Sequence, residues 1–190
     1  MPRFTRAELE SFRDAEVPDL LPASEVKLLF VGINPGLWTA ATQTHFAHPA
    51  NRFYPALLQA GIIERPIDPA AGMTDADREH LTSRGIGITN VVHRATARAD
   101  ELTDDELRAG GEQLVALVAT VRPRVVALAG ITAYRTAFGR RKAVLGRQEE
   151  AIGSAELWVV PNPSGLNAHE TVASLATAYA AAARTAGVIR

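Results

Sequence analysis

The sequence predicts an α/β fold, a three-layer α/β/α sandwich around a central, mainly parallel sheet of four strands. Apolar runs of strand length alternate with helical patterns along the chain. These runs are apolar throughout, which is typical of parallel strands that are covered on both faces. The Ala-rich segment 173–183 favours a helix, and its small side chains would pack closely on such a sheet.

The predicted elements follow in order along the chain. The strands are residues 26–31, 86–92, 125–129 and 157–160, and the helices are residues 53–60, 75–83, 104–121, 131–138 and 168–186. The third helix opens with the capping box Thr103-Asp104-Asp105-Glu106 and ends before Pro123. The last helix follows a similar pattern, in which Asn167 is the cap and Glu170 stands three residues later.

Length and composition indicate one compact domain. A chain of 190 residues is long enough for one well-buried core and short for two. Hydrophobic residues make up 47% of it, without a low-complexity block or a long linker. We therefore predict a single domain over residues 1–190, in which residues 1–24 are a partly irregular N-terminal extension.

The composition also excludes several kinds of site. The chain has no cysteine, so disulfides, thiol nucleophiles and thiolate-bound clusters are excluded. The five histidines lack a helical metal-binding spacing, so we expect no metal site. The first residues lack the apolar core of a secretory signal, and no apolar run approaches the length of a membrane span. We expect a cytoplasmic protein without a membrane partner and, since no repeated apolar seam is present, a monomer.

The most informative segment is Gly32-Ile33-Asn34-Pro35-Gly36, which directly follows the first predicted strand. Pro35 permits no ordinary continuation of the strand. Because open α/β sheets bind ligands at the carboxyl ends of their strands, Asn34 would present its amide at a ligand site. A simple tight turn is the alternative, since Gly, Pro and Asn are common turn residues.

A second segment of the same kind follows the fourth predicted strand. It runs from Pro161 through Asn162-Pro163-Ser164-Gly165-Leu166-Asn167 to His169. In a parallel sheet the two loops would lie along one edge. The sequence therefore predicts that Asn34 and the 164–166 turn face a shared cleft.

Basic residues cluster in one further region, at Arg140, Arg141, Lys142 and Arg147. The formal net charge of −1 argues against a general polyanion-binding protein. The cluster is either solvated loop surface or a local phosphate contact.

Three segments, in this order, resemble the mismatch-specific uracil/thymine-DNA glycosylase family within the uracil-DNA glycosylase fold. They are residues 32–37, 46–54 and 162–166, and the resemblance extends from about Val26 to the last helix. That family hydrolyses the N-glycosidic bond between deoxyribose and a wrong or damaged pyrimidine, usually uracil opposite guanine in double-stranded DNA, and leaves an abasic site. Such hydrolysis needs no metal or organic cofactor.

The resemblance implies a role for each segment. Asn34 would be the catalytic residue that orients the attacking water, Phe46 would stack on the flipped base, and Leu166 would enter the base stack as a wedge. Core packing is the alternative role for Phe46 and Leu166. The base pocket would also include Gly32, Ile33, Pro35, Gly36, Thr39, Asn51 and Asn90. Mismatch contacts would come from Asn162, Pro163, Ser164, Gly165 and Asn167, and phosphate contacts from Arg140, Arg141, Lys142, Arg147 and the first amides of the last helix.

Two features depart from the family pattern. His93 stands where relatives commonly carry an acidic residue, so it is a modulator of the reaction or a structural residue. The loop 38–45 is less Gly-rich than in some relatives; it would line the pocket beside Asn34, where Thr39 or His45 could alter which base fits. The choice between uracil, thymine, ethenocytosine and deaminated purines therefore stays open. Two alternative functions also stay open. One is a glycosylase of the same fold that is specialised for another base, and the other is a lesion-binding protein without catalysis.

Overall fold

The computed structural model describes residues 4–190. Within them, one sheet is formed by β1 (Leu28–Gly32), β2 (Ile86–Asn90), β3 (Val125–Ala129), β4 (Gly146–Ile152) and β5 (Ala155–Val160). The α-helices are α1 (Arg6–Glu10), α2 (Leu37–Thr42), α3 (Phe53–Gln59), α4 (Asp75–Ser83), α5 (Asp104–Val121), α6 (Ile131–Ala137) and α7 (Val172–Ala186). The capping box at Thr103 is confirmed at the start of α5. No helix in this part of the chain is long and apolar enough to cross a membrane.

The strand order in the sheet is β2-β1-β3-β5-β4. The first four of these strands run parallel, and β4 is antiparallel to β5. The register places Gly32 opposite Asn90 and Val31 opposite Leu128. The carboxyl ends of β1, β2, β3 and β5 therefore lie at one edge of the sheet. This confirms the prediction that the loops after the first and the fourth predicted strands share an edge.

Successive residues of the strands face two separate cores. In β1, Leu28 and Phe30 pack into a core with residues of α3, α4 and α7, whereas Leu29 and Val31 pack into a core with residues of α5 and α6. All five residues of β1 are buried. Burial of a large apolar side chain on either face contributes about 1.5–3 kcal/mol, so both helical layers hold the sheet. The three-layer sandwich is confirmed.

The predicted strand count of four is wrong, because β4 forms a fifth strand. Its centre, Arg147-Gln148-Glu149-Glu150, is polar and mostly exposed, so it lacks the apolar run that identifies the other strands. Pairing with β5 across a tight turn explains it: Gly153 has a φ of 58°, a conformation that suits glycine. Arg147, predicted as a phosphate contact, lies in this strand and its Nε is 2.8 Å from Glu156 Oε2.

The last helix begins later than predicted. Its cap is Thr171, whose side chain accepts a hydrogen bond from the backbone N–H of Ser174, and the helix starts at Val172. Asn167 does not cap it, because its side-chain oxygen accepts from the N–H of His169 and its amide donates to Asn162 O within the preceding loop. The predicted cap at Asn167 is therefore wrong, and the first amides of the last helix follow Thr171 instead.

The N-terminal segment is more ordered than an irregular extension. Thr5 caps α1, and Leu20 exchanges two backbone hydrogen bonds with Ile88 of β2. Val17 packs in a small third core with Leu37 and Ala95. This segment therefore packs beside β2 and against the loops at the carboxyl ends of the strands.

Candidate active site

A cleft of about 1400 Å³ opens at the carboxyl edge of the sheet. The loops after β1, β2 and β5 line it together with segment 45–51 and residues of α1. All five asparagines of the chain lie in its lining: Asn34, Asn51, Asn90, Asn162 and Asn167. The two loops that the sequence places at one edge thus share one cleft. An amide-rich lining suits an uncharged ligand that offers both donors and acceptors.

The amide of Asn34 is held in one orientation. Its Nδ2 donates to Arg94 O at 3.0 Å and to Thr96 Oγ1 at 2.8 Å. Because a carbonyl oxygen can only accept, the nitrogen of the amide must face Arg94 O. Both hydrogens of Nδ2 are then used, and Oδ1 has no hydrogen-bond partner among residues 4–190. Asn34 therefore presents a fixed acceptor in the cleft.

Two residues that the sequence analysis missed hold this amide. Thr96 is buried, and its hydroxyl donates to Arg98 O at 2.7 Å, which leaves its oxygen free to accept from Asn34. The side chain of Arg94 binds Glu106, and it binds Asp14 at 2.9 Å. The Arg94 guanidinium and the Thr103 backbone lower the pKa of Glu106 to about 2, so the carboxylate is charged at neutral pH. The loop that carries the Arg94 carbonyl is thereby anchored.

A second amide, that of Asn90, is fixed by His45. His45 Nε2 lies 2.9 Å from Pro18 O, which can only accept, so Nε2 carries the proton. His45 Nδ1 then accepts from Asn90 Nδ2 at 3.2 Å. Burial lowers the pKa of His45 and keeps the ring neutral. A Cβ on Gly32 would lie 2.5 Å from Asn90 Oδ1, so only glycine fits opposite this amide.

Phe46 forms an aromatic wall of the cleft. Its ring stacks on Phe53, with centroids 4.1 Å apart and planes 24° from parallel. The backbone of Phe46 has a φ of 56°, which costs a non-glycine residue about 1–2 kcal/mol. Neighbouring bonds hold this conformation: Thr39 Oγ1 accepts from Ala47 N at 3.3 Å, and Asn51 Oδ1 accepts from Phe53 N at 2.9 Å. Thr39 and Asn51 line the cleft and also support its wall.

We call residues 162–170 the wedge loop. Asn167 N donates to Ser164 O at 3.0 Å and closes a turn with Gly165 and Leu166 at its corner. Leu166 is 84% exposed, so the structure excludes the core-packing alternative for it. Asn162 Oδ1 accepts from Ser164 N at 3.0 Å, which stiffens the turn at its base. A Cβ on Gly165 would lie 2.8 Å from Ala50 O, so this glycine lets the loop pack against the pocket segment.

Other predicted residues occupy defined places around these groups. Ile33 and Pro35 line the cleft, and their carbonyls accept from Val92 N at 2.9 Å and Thr96 N at 3.1 Å. Gly36 lines it too and precedes α2. Pro163 is buried and does not line the cleft.

His93 does not line the cleft. Its Nε2 lies 3.3 Å from Asp19 Oδ1, and this carboxylate raises the pKa of the ring. Asp19 also accepts from Thr89 Oγ1 at 2.7 Å. His93 is therefore part of a polar cluster with Asp19 and Thr89 outside the cleft lining.

The basic cluster also lies outside the cleft lining. Arg140 pairs with Glu150 at 3.2 Å, whereas Arg141 and Lys142 are exposed. Since Gly146 pairs with Val159, the segment lies at the same sheet edge as the cleft but beyond β5.

Across residues 4–190, no three His, Asp or Glu side chains group as metal ligands do.

The fold and the cleft together define an α/β protein with an asparagine-lined cleft at the carboxyl edge of its parallel strands. A comparison with known families makes this specific. The model of the Uracil DNA glycosylase superfamily matches residues 18–183, and the chain belongs to this superfamily. The matched range contains every site residue that the sequence analysis names. The protein is accordingly a DNA N-glycosylase, a hydrolase of base excision repair.

Proposed function

We propose that the protein is a mismatch-type uracil-DNA glycosylase, which removes uracil opposite guanine from double-stranded DNA and leaves an abasic site. The observation that carries this proposal is the locked amide of Asn34, whose Oδ1 is a free acceptor while both hydrogens of its Nδ2 are bound. A water held by this oxygen would be aimed at the sugar of a nucleotide in the cleft.

Access to the cleft requires that the nucleotide leave the duplex, because stacked neighbours shield the glycosidic bond. Leu166 is suited to support this step, since it is 84% exposed at the corner of a closed turn beside the cleft. An apolar side chain inserted between bases fills the gap that the flipped nucleotide leaves.

Two side chains support recognition of the base. The Phe46 ring is covered on one face by Phe53, and its cleft side offers a platform for a flipped base. Stacking of this kind contributes about 1–3 kcal/mol per base. The Asn90 amide nitrogen is bound by His45, and Asn90 Oδ1 has no hydrogen-bond partner among residues 4–190. A base with a ring N–H, such as uracil, can donate to it, whereas cytosine has no such hydrogen.

The chemistry follows from what Asn34 can do. An amide has no proton to gain near neutral pH, so it orients water without removing its proton. The bond between C1′ and the base nitrogen therefore breaks first, and the base departs with the bonding electron pair as an anion. The water oxygen then bonds to the cationic C1′ and its proton is released to solvent. Because no charged side chain acts as a general base on the water, turnover should be slow.

A panel of labelled duplexes tests this proposal. Single-turnover release should be fastest for uracil opposite guanine, and slower for uracil in a single strand. Thymine, ethenocytosine and hypoxanthine in the same sequence would show whether another base is preferred. Release of another base but not of uracil would overturn the substrate assignment. Binding without an abasic product from any duplex would overturn the catalytic one.

A further inference from the structure

Arg52 makes an unusual set of contacts with the wedge loop. Its backbone N–H donates to Pro163 O at 3.0 Å. Its Nη2 donates to Ser164 O at 2.5 Å and to Asn167 O at 2.7 Å, and its Nη1 donates to Glu170 O. One residue of the pocket segment thus binds four carbonyls spread over the whole wedge loop.

Among residues 4–190, the positive charge of Arg52 is directed only at main-chain dipoles. No Asp or Glu side chain of residues 4–190 forms an ion pair with it, and its Nε is buried without a partner. A half-buried cation without a carboxylate is costly, so the converging carbonyls are what stabilises it there. The same carbonyls cannot rotate away without losing that partner. The loop conformation and the guanidinium therefore depend on each other.

This arrangement sets which groups the loop turns outward. In a planar trans peptide, the N–H points opposite to the carbonyl. With the carbonyls of Ser164 and Asn167 turned onto Arg52, the N–H groups of Gly165 and Ala168 point away from it. Neither N–H has a hydrogen-bond partner among the described residues. They are free donors on either side of Leu166.

Arg52 also links the wedge loop to the base pocket. It lies between Asn51, which lines the cleft, and Phe53, on which Phe46 stacks. A shift of the wedge loop that pulls on Arg52 would therefore act on the wall of the pocket.

We propose that Arg52 is the positioning residue of the wedge loop. In the DNA-free protein, it already holds Leu166 and the free amides of Gly165 and Ala168 in the orientation in which they contact DNA. This inference rests on the proposed function, because it assigns to Arg52 the preorganisation of the base-flipping step. It requires no contact between Arg52 and the substrate.

Two measurements test the inference, using Arg52→Met and a matched control, Arg84→Met. Arg84 is also partly buried and donates to a main-chain carbonyl, Ile62 O at 2.7 Å, but it lies outside the cleft. The first measurement is amide hydrogen exchange of the DNA-free protein over residues 162–171. Exchange at Asn167, whose N–H is bound to Ser164 O, should accelerate in Arg52→Met and stay unchanged in Arg84→Met.

The second measurement is a double-mutant cycle on uracil excision under single-turnover conditions. Arg52→Met should slow excision from the duplex by on the order of 10-fold or more, since small misplacements near a reacting centre are costly. It should slow excision from a single strand much less. In a Leu166→Ala background the same substitution should have little further effect, because the wedge is already absent.

Unchanged exchange at Asn167, or effects of Arg52→Met and Leu166→Ala that multiply independently, would overturn the inference. If Arg52→Met does not fold, Arg52→Lys is the second variant, because it keeps the charge but loses the fork of donors. Faster exchange at Asn167 and slower excision from the duplex are again expected, and both effects should be smaller. If the wild-type protein releases no uracil, the proposed function fails, and the exchange measurement still decides whether Arg52 orders the loop.

Discussion

Replacing Gly32 with alanine should damage the site in a way that can be calculated from the structure. The new Cβ would lie 2.5 Å from Asn90 Oδ1 and 3.3 Å from the Phe46 ring. Since an unstrained contact is about 3.5 Å, the Asn90 amide must move by about 1 Å. A displacement of that size at a reacting centre costs about 100-fold in rate. Overpacking of this kind also destabilises a protein by about 1–3 kcal/mol.

The assay is single-turnover release of uracil from a duplex, together with urea unfolding. The matched control is the same substitution in an Asn90→Ala background, where the crowded amide is absent. There Gly32→Ala should cost at least about 1 kcal/mol less in the free energy of unfolding, as expected for residues in contact. Equal costs in both backgrounds, or Gly32→Ala with wild-type excision, would refute the reasoning.

Three further predictions concern single groups. Thr96→Val removes one of the two acceptors of the Asn34 amide, worth about 1 kcal/mol, so excision should slow about 5-fold; an unchanged single-turnover rate would contradict this. Leu166→Ala should slow excision from duplex DNA more than from a single strand and, because the residue is 84% exposed, should change the unfolding free energy by less than about 0.5 kcal/mol. The Asp19 carboxylate raises the pKa of His93 in the folded state, so their pairing stabilises the fold fully below about pH 6.5 and loses this effect as the pH rises through the raised pKa. In urea unfolding at pH 6 and pH 8, His93→Gln should therefore lose less stability on going to pH 8 than the wild type; identical pH dependence would contradict the pairing.

The parts of the fold that sequence reasoning predicts are those with a strong local cause. Strand β1 is apolar at every position because helices cover both of its faces. Helix α5 begins where its capping box stands. Strand β4 lacks such a cause, because it is a polar edge strand that exists through its pairing with β5. The start of α7 differs from the prediction because the Asn167 side chain bonds two groups within its own loop, and the local sequence does not distinguish this arrangement from a helix cap.

The same distinction between local and distant causes applies to the residues of the site. Gly and Pro mark the two loops that carry Asn34 and Leu166, so these loops are visible in the sequence, whereas the roles of the two residues follow from the resemblance to a known family. The residues that orient them are distant: Arg94 is 60 positions from Asn34, and Ser164 is 112 positions from Arg52. No pattern in a single sequence reports such pairs. The buried hydroxyl that holds the Asn34 amide, that of Thr96, becomes visible only through the geometry, and so does the bond by which His45 holds the Asn90 amide.

The central claim is that the locked amide of Asn34 orients the water that cleaves the glycosidic bond. The most direct test is the single-turnover release of uracil opposite guanine by Asn34→Ala, with the affinity for the same duplex measured alongside. We predict that the rate falls by about 100-fold or more while duplex affinity stays within a few fold, because only the positioning of the water is lost. Release at the wild-type rate by a variant that binds the duplex normally would contradict the claim.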